Sequence, residues 1–162
     1  MYFRALDSKL SMKLNLHHSC LYSHLTLKTN KMEIHLKIIG ILLVLLSFLH
    51  IGFPKYFNWK KELTSLSLIN SQLMMVHTFF IALILLLIGL LCLTSSFELI
   101  NSKLGKKIVL GLGIFWTIRL FTQFFIYSPK LWKGKKFETS MHIAFSILWV
   151  YLSATFLFIF FT

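Results

Sequence analysis

The sequence predicts an all-α membrane protein, a four-transmembrane-helix up-and-down bundle. Three observations carry that prediction. Four apolar runs, at about residues 34–53, 73–93, 108–127 and 141–161, each have the roughly 20 residues that cross a hydrocarbon core about 30 Å thick. Of the 162 residues, 57% are hydrophobic and only 14% are charged, with a mean hydropathy of +0.76. The links between the runs are short and polar, so successive helices must be antiparallel neighbours.

Charge and cysteine usage narrow the partners. Lys and Arg number 17 against 5 Asp and Glu, a net charge of +12. The lysines lie between apolar runs, where they meet anionic lipid headgroups, and no basic stripe sits on a soluble fold. The lipid bilayer is therefore the expected partner, and nucleic acid is not. Cys20 and Cys92 are far apart in the chain and form no CxxC, so neither a disulfide nor a zinc framework is supported.

Residues 1–31 form a polar leader without sustained period, followed by a short charged start, Met32-Glu33-Ile34-His35-Leu36-Lys37. We expect translation to begin at Met32, with the leader an over-extended start; the alternative is a disordered or surface-lying arm. His17, His18 and His24 lie in that leader and carry no functional weight. The first run resembles a secretory signal, but no small-x-small cleavage site follows it, so it reads as an uncleaved span closed by Pro54. In residues 55–72, Trp59, Leu63, Leu66 and Asn70 share one helical face, which predicts a short interfacial helix or an extension of the second span. Tyr56, Phe57, Trp59 and, in the third link, Trp132 read as interface anchors. Residues 94–107 read as a polar link, and Ser128-Pro129 ends the third span.

Orientation depends on the start. The first and third links carry seven lysines: 55, 60, 61, 130, 133, 135 and 136. The opposite side carries four with a Met32 start (37, 103, 106 and 107) and nine with the leader, which adds Arg4 and lysines 9, 13, 28 and 31. A Met32 start therefore places the first and third links in the cytoplasm.

The chemistry-bearing residues gather at one end. Arg119 lies near the middle of the third run, where a charge costs at least roughly 2.5–3.5 kcal/mol and must face protein. Trp116, Arg119 and Gln123 fall at i, i+3 and i+7 on one face. Alternating topology brings His50, His77, Gln123 and His142 to similar depth, with Arg119 one turn deeper. Each span adds polar residues at helical spacing: Ser47 with His50, Asn70 with His77, and His142, Ser146, Trp149 and Ser153 in the fourth. Polar side chains turn away from hydrocarbon. The expected pocket is thus His50, His77, Trp116, Arg119, Gln123 and His142, supported by Ser47, Asn70, Ser146 and Trp149.

Such a set admits three ligands, preferred in the order haem, metal ion and quinone. Two histidines on different helices supply axial ligands to haem, or His50, His77 and His142 hold a metal ion such as zinc or copper. Alternatively, the donors bind a quinone or lipid headgroup. The same residues also have a structural reading. Arg119 then bonds only within the bundle, the histidines bridge helices or sit at the interface, and the tryptophans pack. No HExxH, CxxCH, paired-carboxylate or glycine-rich phosphate motif points to a reaction.

The runs His50-Ile-Gly-Phe-Pro54, Tyr56-Phe57-Asn58-Trp59, Val76-His77-Thr-Phe-Phe80 and Phe115-Trp116-x-x-Arg119-Leu-x-x-Gln123-Phe-Phe resemble those of a group of small four-span bacterial membrane proteins. The resemblance covers about residues 32–157. It implies the fold and a bacterial inner (cytoplasmic) membrane location, and it implies no activity. Two further roles stay open: a non-catalytic accessory or assembly subunit bound to a membrane-protein partner, or a small-solute transporter acting as a homo-oligomer.

Overall fold

The computed structural model describes residues 2–126, 128 and 134–162, with side chains from residue 26 onward. Among these residues, four helices are long and apolar enough to cross a membrane, as the sequence predicts. They belong to α1 (Tyr2–Tyr56), α3 (Leu68–Thr94), α5 (Lys103–Phe125) and α6 (Lys136–Phe161). Two short helices complete the chain, α2 (Trp59–Glu62), followed by a 3-10 turn at Leu63–Ser65, and α4 (Ser96–Asn101).

The backbone of residues 2–31 continues in the same helix as the first span. Along α1, Met32, Leu36, Ile39, Leu43 and Leu46 are buried at alternating spacings of four and three, the seam of a helix packed lengthwise on neighbours. The opposite face leaves Ile41, Leu45, Phe48 and Leu49 exposed. Only 17–33% of the most apolar stretch of each span is buried, so most of each helix presents hydrocarbon outward. That is the surface a lipid solvent requires.

Helix ends differ from the expected ones at three places. Pro54 does not close α1; it sits inside the last turn. Phe57 N–H still reaches the Phe53 carbonyl at 2.9 Å, and the chain turns only at Asn58, whose φ of 48° is left-handed. A proline this close to a C-terminus forfeits its own donor without breaking the bonds beside it. In residues 55–72 a short helix, α2, and an earlier start of the next span at Leu68 both occur, but the backbone is extended at Leu66 and Ser67, so Trp59, Leu63, Leu66 and Asn70 do not share one helix. Residues 94–107 are not an extended link: Ser95 and Ser102 alone interrupt helix there. Ser102 caps α5, its Oγ accepting from Gly105 N–H at 2.8 Å. Ser96, Leu99 and Ile100 of α4 turn inward, and this polar-looking hexapeptide becomes part of the core.

Packing is pairwise. The closest partners are α1 with α3 and α5 with α6, while α4 wedges against both α5 and α1. Gly40 and Gly89 set the first pairing: a Cβ on Gly40 would lie 2.8 Å from the Gly89 carbonyl oxygen, and one on Gly89 2.9 Å from the Gly40 carbonyl oxygen. Small residues facing each other allow this approach. Between the hairpins, α1 meets α6 over a narrow seam, with a 2.9 Å hydrogen bond joining His35 Nδ1 to the Tyr151 hydroxyl.

Ser47 is buried in the α1–α3 interface and donates its hydroxyl to the Ala82 carbonyl at 2.7 Å. Interhelical hydrogen bonds in membranes average about 0.6 kcal/mol. Ser47→Ala should therefore cost about that much, measured as a small shift in the SDS-unfolding midpoint. A loss above about 2 kcal/mol would mean that Ser47 has a role beyond this bond.

Candidate functional site

The α5–α6 hairpin carries the polar cluster. Helical spacing places Trp116, Arg119 and Gln123 on the face of α5 that meets α6; Trp116 and Gln123 are buried, and Arg119 is half-buried. From α6, His142, Phe145, Trp149 and Ser153 come up to meet them, with Trp149 and Ser153 buried.

The contacts form a connected chain. An Arg119 guanidinium nitrogen donates to Thr122 Oγ1 and to Gln123 Oε1, each at 3.2 Å. Thr122 in turn donates to the Arg119 carbonyl at 2.7 Å. Gln123 Nε2 lies 2.7 Å from His142 Nδ1 across the helix interface. Because a guanidinium only donates, the amide must give Arg119 its oxygen and His142 its nitrogen. His142 Nδ1 is then an acceptor, and the neutral ring carries its proton on Nε2.

Deeper in the bilayer the cluster becomes aromatic. The Arg119 guanidinium carbon lies 5.0 Å from the Trp149 ring centroid, in cation–π range. Trp149 is stacked between Trp116, at 5.0 Å with a 12° interplanar angle, and Phe145, at 5.7 Å with 16°. Thus the charge faces the negative quadrupole of a ring and donates to an amide and a hydroxyl, which offsets the cost of its depth. Three buried donors nearby have no acceptor among the described residues: the indole nitrogens of Trp116 and Trp149, and Ser153 Oγ, one turn beyond Trp149.

Of the pocket read from the sequence, Trp116, Arg119, Gln123, His142 and Trp149 come together. Ser146 adjoins them, although its hydroxyl donates to the carbonyl of His142 in its own helix at 2.8 Å. His50 and His77 do not join. His50 Nδ1 bonds the Leu46 carbonyl at 2.8 Å, and its ring packs on Phe53 with centroids 4.6 Å apart. His77, exposed on α3, bonds the Leu73 carbonyl at 2.9 Å, and Asn70 is also exposed. Among the described residues no three His, Cys, Asp or Glu side chains converge to hold a metal ion.

No protein-family model, curated protein or solved structure matches this chain. The site must therefore be read from its own chemistry.

Thr122 and Phe145 are members of the cluster that sequence reasoning missed. Thr122 was detectable, since it stands three residues after an intramembrane arginine, where a hydroxyl reaches the guanidinium. Phe145 gave no signal, because an apolar residue in an apolar span has none to give. Trp132 lies outside the described residues.

Proposed function

We propose that this multi-pass membrane protein binds a lipophilic, carbonyl-bearing ligand of the quinone class at the α5–α6 cluster. The supporting observation is the set of three buried donors without acceptors, beside a membrane-embedded arginine and a stacked aromatic wall. A buried donor in hydrocarbon costs several kcal/mol unless an acceptor arrives, and a quinone brings carbonyl oxygens on a flat ring. The bacterial cytoplasmic membrane, the location implied by the resemblance, belongs to the same proposal.

Haem is the second reading. His50 and His77, on the paired helices α1 and α3, each hold Nδ1–H on a backbone carbonyl, which leaves Nε2 free as a lone pair. That is the tautomer of a metal-bound imidazole.

The test is an absorption spectrum and a solvent extract of protein purified gently from its own membrane. Near-stoichiometric quinone in the extract, lost at least tenfold in Trp149→Phe, is the expected result. A Soret band removed by His50→Ala and His77→Ala would replace the quinone reading with haem. A clean spectrum, an empty extract and a co-purifying membrane subunit would replace both with an accessory role.

A further inference from the structure

At the other side of the bundle's polar end, the chain folds a groove that the α5–α6 site does not use. Its wall is built where α1 ends, α2 and the 3-10 turn cross over, and α3 begins. The volume is about 940 Å³, in the size range of small-ligand sites. Ile51, Pro54, Leu68 and Met75 form an apolar side that runs down into the two spans. Lys55, Asn58, Lys60 and Ser71 line it with polar groups. Among the described residues no acid lines it, Glu62 of α2 standing outside the groove's lining. Among the described residues neither lysine is in an ion pair, the one such pair being Lys37 with Glu33 on the far part of α1.

We propose that this groove is a binding site for one anionic phospholipid. The phosphate lies against Lys55 and Lys60, with Asn58 and Ser71 as further donors, and the acyl chains follow Ile51, Leu68 and Met75 toward the bilayer interior. Charge and position together select this occupant. Two unpaired cations and an apolar floor meet at a span end, which is the layout of a phosphodiester joined to hydrocarbon. Half-buried Trp59, on the helix that roofs the groove, is of the residue type that anchors at membrane–water interfaces. A soluble anion would leave the apolar wall uncovered, and a zwitterionic lipid would bring a second cation towards the lysines.

Native mass spectrometry of the full chain, released from equimolar phosphatidylglycerol and phosphatidylcholine, tests this. One phosphatidylglycerol should persist on the protein. Each lysine near a membrane surface is worth about fivefold in affinity, so K55Q/K60Q should lower occupancy by roughly 25-fold. K106Q/K107Q, on α5, should leave it unchanged. Met75→Trp, which fills the acyl wall and keeps both lysines, should also release the lipid. Equal retention of phosphatidylcholine, unchanged occupancy in K55Q/K60Q, or equal loss in both lysine pairs would overturn the proposal. So would displacement by millimolar inorganic phosphate, or a peptide in place of the lipid.

Discussion

Gly105→Ala is expected to destabilise the protein by about 3 kcal/mol, the upper end of the usual cost of overpacking. For a chain of this length that lowers the melting temperature by on the order of 10 °C. The reason is the corner between α4 and α5. A Cβ on Gly105 would collide with the Glu98 carbonyl oxygen and stand 2.6 Å from Leu99 Cα and 2.8 Å from the Leu99 carbonyl oxygen. These are backbone atoms, which no rotamer change moves aside. Either α4 leaves the core, exposing Leu99 and Ile100, or the Ser102 cap opens. Gly111 is the internal control. It lies in the same helix, a Cβ there meets nothing within 4 Å, and Gly111→Ala should be neutral or stabilising by up to about 1 kcal/mol. Thermal unfolding in detergent, followed by circular dichroism, compares the two. Equal melting temperatures would show that the α4 wedge does not support the bundle.

Gln123→Leu is expected to cost about 2–3 kcal/mol, because one amide serves two helices. Its removal takes an acceptor from a guanidinium inside the membrane and leaves His142 Nδ1 facing an apolar side chain. Gln123→Glu separates geometry from charge. A carboxylate still accepts from Arg119, so stability should be largely retained, but it has no hydrogen to give the imidazole. His142 must then donate from Nδ1. Nitrogen-15 NMR of labelled histidine reads this directly: proton on Nε2 in the native protein, on Nδ1 in Gln123→Glu. An unchanged tautomer would refute the proposed hydrogen-bond chain.

The number of spans and the polar face of α5 were legible in the sequence because both follow from periodicity. Apolar runs of about 20 residues have one solution in a bilayer, and Trp116, Arg119 and Gln123 share a face of any α-helix. What the sequence could not give was azimuth. Alternating topology places His50 and His77 at the depth of His142, but depth does not say which way each helix is rotated. Rotation is decided by close contacts such as Gly40 against Gly89, which turn His77 outward on α3. The α4 wedge escaped for a related reason. Ser95 and Ser102 look like link residues, and only the packing of Leu99 and Ile100 shows that the hexapeptide between them is core.

Pairing α5 with α6 has a consequence for biogenesis. During synthesis, α5 reaches the translocon with its arginine before α6 has been made. Gln123 and Thr122 arrive on the same helix, but the Trp149 face and His142 come only with the 26 residues of α6. At 5–20 residues per second, the ribosome takes about one to five seconds to supply them. For that interval Arg119 has Thr122 and Gln123 of its own helix but neither the Trp149 ring nor the bridge through Gln123 to His142. Quality-control proteases that sample unassembled membrane segments would meet this chain at its most vulnerable in those seconds, before the second hairpin closes.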